Sequence, residues 1–199
     1  NNIVSSAEYA SMTVSAVISG TSGVFVLPDG TTSTTYEITA SNGIATFANM
    51  RIGGKVSTSY TIQFQAVVET ISNSSTVSTT LMVTKTGIFL DPGTPDAFSI
   101  VDQPTDRTAG ENFSPVPKIQ LLDAYGNQTK AAEKDIQAVL VSADQSAVYN
   151  DSTSAVTTVG GQATFGALYS AAEYNKIGSY RIEFRDVTSG LQTISAVVS

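Results

Sequence analysis

Tyr60-Thr61-Ile62-Gln63-Phe64 returns further along the chain as Tyr180-Arg181-Ile182-Glu183-Phe184. In each copy Tyr, Ile and Phe stand two residues apart. On an extended backbone they share one face, which the sequence predicts to be the core face. Two more pieces repeat upstream in the same order. Ser41-Asn42-Gly43-Ile44-Ala45-Thr46-Phe47 matches Val159-Gly160-Gly161-Gln162-Ala163-Thr164-Phe165, a Gly-containing turn followed by Ala-Thr-Phe. Ser15-Ala16-Val17-Ile18 matches Gln137-Ala138-Val139-Leu140. Three ordered matches, spaced about 120 residues apart, define two copies of one unit.

The chain around these anchors keeps the same period. Met12 to Ile18, Tyr60 to Val67, Val77 to Val83, Ile119 to Leu122, Ile136 to Val141, Tyr180 to Phe184 and Ile194 to Val198 alternate apolar with polar residues. They are short, rich in Val, Ile, Thr, Tyr and Phe, and separated by Gly, Asn, Asp and Ser. This is the pattern of antiparallel strands with one wet face, and it predicts an all-β sandwich fold. Only Lys130 to Asp135 and Ala167 to Asn175 have any helical composition, and both read as loops. Asp91-Pro92-Gly93-Thr94-Pro95-Asp96 stops strand pairing with two prolines and a glycine. The expected division is therefore residues 1–90, a linker at 91–97, and residues 98–199.

The copies are unequal. The second opens with Phe98-Ser99-Ile100-Val101-Asp102 and continues through Ile119-Gln120-Leu121-Leu122-Asp123-Ala124-Tyr125-Gly126-Asn127, for which the first has no counterpart. The first unit is thus expected to lack two or three early strands, supplied upstream or by another chain. Val14, Ala16, Ile18, Phe47, Ile62 and Phe64 should then lose part of their cover.

Composition excludes much chemistry. The 199 residues include no His, Cys or Trp, so imidazole bases, thiolate nucleophiles, disulfides and His- or Cys-ligated metals are ruled out. Charged residues make up 14% of the chain, against roughly 25% in an average domain, and small hydroxyls take their place. With 17 acidic and 10 basic residues the net charge is −7, unsuited to a phosphate backbone. No apolar run approaches the ~20 residues of a membrane span, and the first residues lack a signal peptide's basic and apolar regions. Since the chain begins at Asn1 rather than Met, it is expected to be a processed product or an excerpt.

Gln103-Pro104, Ala109-Gly110 with Phe113, the turn Asp123 to Asn127, Gly161 to Phe165, and Gly178-Ser179-Tyr180 together resemble bacterial Ig-like domains of the invasin and intimin type. The resemblance covers Phe98 to Ser199 well and residues 1–90 only in their later strands. It implies two tandem Ig-like antiparallel β-sandwich domains, the first lacking its early strands. It also implies a secreted or cell-surface setting, as in large adhesins and surface-layer proteins. The missing Cys and Trp set the chain apart from antibody-type domains.

The candidate site residues are few. Asp91 with Asp96, Asp102 with Asp106, Asp123, and Asp144 with Asp151 all sit in turn-like sequence, where Asp serves the turn before it serves acid–base chemistry. Asp91 and Asp96, at the junction, are the candidate Ca²⁺ ligands, and no EF-hand pattern accompanies them. Lys118 is placed as in modules with a Lys–Asn crosslink, but Gln192 to Val198 offers neither Asn nor Asp. The sequons at Asn73, Asn112, Asn127 and Asn150 mark candidate surface loops. Tyr60 and Tyr180 read as core residues. Tyr169 and Tyr174 are the candidate exposed pair for a carbohydrate ligand. The expected role is a non-catalytic structural module of a stalk, surface layer or filament, partnered by neighbouring domains or copies of itself. The alternatives are an adhesin module binding carbohydrate or protein, and a virion decoration domain.

Overall fold

The computed structural model describes residues 12–72, 75–106, 108, 111–130, 133–146, 148–150, 156–166, 178–195 and 197. The protein is all-β, built from antiparallel sheets, with no helix among the described residues. It divides into two compact units, Asn1–Asp91 and Pro92–Ser199.

The first unit contains β1 (Thr13–Ser19), β2 (Val24–Val26), β3 (Thr32–Ser33), β4 (Thr35–Thr39), β5 (Arg51–Gly53), β6 (Tyr60–Ser72) and β7 (Ser75–Ile88). One sheet runs β4-β1-β6-β7 and a second β3-β2-β5. Ala16 and Ile18 of β1, Phe25 of β2, and Tyr60 and Ile62 of β6 form the buried centre between them. Phe25, Tyr36, Phe47 and Phe64 extend it as a chain of tilted and edge-to-face ring contacts, with centroids 5.2 to 6.4 Å apart.

The second unit contains β8 (Ala97–Asp102), β9 (Lys118–Leu122), β10 (Asp135–Ser142), β11 (Val148–Asn150), β12 (Val156–Thr157), β13 (Gln162–Thr164), β14 (Tyr180–Asp186) and β15 (Gln192–Ile194). Its main sheet runs β11-β10-β14-β15 with β12 also on β10, and the facing sheet runs β13-β9-β8. Both sheets feed one core: Phe98, Ile119, Leu121 and Ala163 from one, Ile136, Ala138, Ile182 and Phe184 from the other.

The repeat read from sequence is a repeat of register. In the first unit Ala16 stands opposite Phe64 and Ile18 opposite Ile62. In the second Ala138 stands opposite Phe184 and Leu140 opposite Ile182. The turn before each Ala-Thr-Phe is the same two-residue hairpin. Ser41 and Ile44 exchange backbone hydrogen bonds of 2.8 and 3.0 Å, and Val159 and Gln162 exchange bonds of 2.8 and 3.1 Å. The residues between them hold positive φ, 52° and 74° at Asn42 and Gly43, 59° and 78° at Gly160 and Gly161. Positive φ at both central positions is the type I′ geometry that matches strand twist, which explains why Asn-Gly and Gly-Gly stand there.

One expectation is corrected. Ala16, Ile18 and Ile62 are buried, because Phe25 of β2 and the half-buried Ile52 of β5 lie across them as part of the second layer. Val14, Phe47 and Phe64 are only half-buried. The incomplete cover is therefore limited to Val14, Phe47 and Phe64 among the six.

Candidate functional site

The carboxylate turns carry most of the polar organisation. Asp123 closes the turn that follows β9. Its backbone carbonyl accepts the Gly126 N–H at 2.8 Å, and its own N–H donates to the Asn127 carbonyl at 2.9 Å. Gly126 takes the positive φ of 70° that the turn requires. One carboxylate oxygen accepts the N–H groups of Tyr125 and Asn127, each at 2.9 Å. The other accepts the Asn127 side-chain amide and the Gly93 N–H, also at 2.9 Å. Burial alone would push the Asp123 pKa up. The bonds from Gly93, Asn127 and Tyr125 outweigh it and hold the carboxyl below its ordinary value.

Asp123 therefore fastens the segment entering the second unit, helped by Asp96, whose N–H donates to the Leu122 carbonyl at 2.8 Å. Asp91 and Asp96 themselves have exposed side chains. Among the described residues no group of three or more acidic side chains is placed to hold a metal ion.

Asp102 and Asp144 serve structure in the same manner. Asp102 of β8 pairs with Lys118 of β9 at 3.1 Å, which gives that lysine an ordinary ionic partner. Asp144 accepts the Ser142 hydroxyl at 2.5 Å, and the Ser146 hydroxyl and N–H at 2.7 and 3.1 Å. The two hydroxyls, Ser142 foremost, and then the Ser146 N–H bring its pKa down to about 2. Asp29 is likewise lowered by the Thr31 hydroxyl and N–H. Asp151, Asn73, Tyr169 and Tyr174 lie outside the described residues. Asn127 is buried with its amide committed to Asp123, so this sequon is no surface loop.

Two constellations escaped the sequence. Asp186, at the end of β14, is buried. Its carboxylate accepts the Thr188 N–H at 2.9 Å and the Ser189 hydroxyl, and it meets Lys134 at 3.2 Å. Burial pushes its pKa up, but Ser189, Thr188 and Lys134 together hold it below the ordinary value. The second constellation surrounds Tyr60. Its ring is fully buried and its hydroxyl donates to the Lys55 carbonyl at 2.8 Å. A Cβ on Gly20 or Gly23 would lie 2.6 Å from a ring carbon, and one on Gly54 would lie 2.3 Å from the phenol oxygen. Three glycines thus cradle one tyrosine. Glycines distant in sequence reveal such a role only once the chain is folded.

No protein-family model and no curated protein matches this chain. No buried side-chain nitrogen or oxygen among the described residues is left without a partner. This arrangement holds strands and loops in place.

Proposed function

We propose that the chain is a non-catalytic structural element of an extracellular surface protein. In this reading two Ig-like sandwich units in tandem form part of a stalk, surface layer or array, meeting neighbouring domains or further copies. The observation that carries the reading is the duplicated register, Ala16 opposite Phe64 and Ala138 opposite Phe184. A unit built twice on one frame is how a chain gains reach from modules that each bury their own core. The carboxylates support the reading because they are engaged in turns and ion pairs. The resemblance of the second unit to invasin- and intimin-type domains supplies the extracellular setting.

Antibodies raised against residues 98–199 test the proposal on intact source cells and on purified virions. Labelling of unpermeabilised cells is the expected result. Labelling of virions alone would replace the cell-surface role with a decoration role, and labelling only after permeabilisation would overturn it.

A further inference from the structure

The two copies of the type I′ hairpin differ in chemistry at their first central residue. The second unit turns through Gly160-Gly161, the first through Asn42-Gly43. Asparagine before glycine is a reactive pair, because the glycine nitrogen can close on the asparagine side-chain carbon with no Cβ in its way. Elsewhere in the described residues this closure is blocked. Asn49, Asn112 and Asn127 are followed by Met50, Phe113 and Gln128, whose side chains hinder it. The Asn127 amide is also bonded to Asp123 at 2.9 Å. Asp29-Gly30 has the glycine, but both reacting groups are engaged. The Gly30 N–H donates to the Leu27 carbonyl at 2.9 Å, and the Asp29 carboxylate accepts the Thr31 N–H and hydroxyl at 3.0 and 2.7 Å. The Gly43 N–H has no acceptor among the described residues, and Asn42, Gly43 and Ile44 are all exposed.

The first hairpin is also the easier one to open, and reaction requires Asn42 to rotate out of its turn conformation. The isolated Ser41–Ile44 bridge closes this turn, and no described strand pairs with residues 45–47 beyond it. Its counterpart is tied to β9 through the Leu121 N–H on the Gly161 carbonyl, 2.8 Å. Segments with few such ties open at the least cost.

We propose that Asn42–Gly43 is a site of spontaneous deamidation, and that its isoaspartate product opens the hairpin of the first unit. The Gly43 nitrogen gives up its proton and bonds to the Asn42 side-chain carbonyl carbon. The bond from that carbon to the side-chain nitrogen breaks, and ammonia leaves with the proton. Water, the one co-reactant, then opens the succinimide ring. Attack at the side-chain carbonyl gives aspartate, and attack at the main-chain carbonyl gives isoaspartate. Isoaspartate routes the backbone through the side-chain carbon and so lengthens it by a methylene. A two-residue turn held at φ of 52° and 74° does not accommodate that extra atom. Ala45-Thr46-Phe47 then loses its fixed start, and Phe47 its place against Tyr36 and Phe64.

The test is to age the full chain in mildly alkaline buffer, locate the new acids by peptide mapping and count isoaspartate with isoaspartyl methyltransferase. Asn42 should convert ahead of every other asparagine. The product, one charge more negative than −7 and separable by anion exchange, should show a lowered first-unit melting transition and an unchanged second. Asn42→Gly, which copies the second unit's hairpin, should abolish the isoaspartate signal and keep both transitions. Asn42→Asp carries the added charge on an unlengthened backbone and should melt like the parent. An Asn42 that stays amidated in the native chain, or converts only in denaturant, would overturn the proposal. So would an isoaspartate-containing product that melts no lower than Asn42→Asp.

Discussion

The two units share a frame and differ in how completely they close it. Both place Ala opposite Phe across their central strands, and both turn into Ala-Thr-Phe through a type I′ hairpin. In the second unit that hairpin is bolted to β9. The Leu121 N–H donates to the Gly161 carbonyl at 2.8 Å and the Phe165 N–H to the Pro117 carbonyl at 2.9 Å. Ala163 and Phe165 are buried as a result. In the first unit no described strand pairs with residues 45–47, and Phe47 remains half-buried against Tyr36 and Phe64. The same local sequence makes a strand in one context and an irregular segment in the other. Turn chemistry fixes the turn, while a neighbour is needed to complete the strand.

The largest expected effect tests that bolt. A Cβ on Gly161 would fall 1.7 Å from the Thr129 carbonyl oxygen, at a φ of 78°. Gly161→Ala should remove the second unit's cooperative unfolding transition, a loss of about 4 kcal/mol or more, with the first unit's transition kept. Equal damage to both transitions in calorimetry would break the comparison. Next comes Asp123→Ala, which leaves the N–H groups of Gly93, Tyr125 and Asn127 without their acceptor. It should cost the second unit about 3 kcal/mol in denaturant unfolding. In the first unit the matching probe is Gly23→Ala, whose Cβ would stand 2.6 Å from the buried Tyr60 ring. A cost of about 1–3 kcal/mol confined to the first unit is expected from overpacking.

Acid should separate the units further. Asp123, Asp144 and Asp186 in the second unit have depressed pKa values, against Asp29 in the first. A carboxylate held below its unfolded pKa of about 4 contributes stability above that pH, and the contribution disappears as pH falls through the folded value. Between pH about 4 and about 2, the value for Asp144, the second unit's Tm should drop more than the first's. A parallel drop would remove the electrostatic part of the contrast. The smallest effect is expected from Ca²⁺: among the described residues Asp91 and Asp96 join no larger acidic group, so chelator should leave both transitions where they are.

Much of this was legible in the sequence because it is local or periodic. Tyr60-x-Ile62-x-Phe64 and its partner at 180–184 expose their face by spacing alone. Asp123 to Asn127 announces its turn through an Asp followed three residues later by Gly. The glycine cradle was hidden because Gly20, Gly23 and Gly54 meet Tyr60 only after β6 has paired with β1. Asp186 was hidden for a similar reason, since Lys134, just before β10, meets it only once β10 has paired with β14. The burial of Ala16 and Ile18 was underestimated because β2 and β5 are three-residue strands, too short to show a period.

The central claim is that one frame is closed in the second unit and left partly open in the first. Residue-resolved amide hydrogen exchange on the full chain, at concentrations where it is monomeric, tests it most directly. Residues 136–141 and 181–185 should exchange by the slowest opening, and residues 14–18 and 61–65 measurably faster although they share the register. Equal protection of the two strand pairs, or greater protection in the first unit, would contradict it.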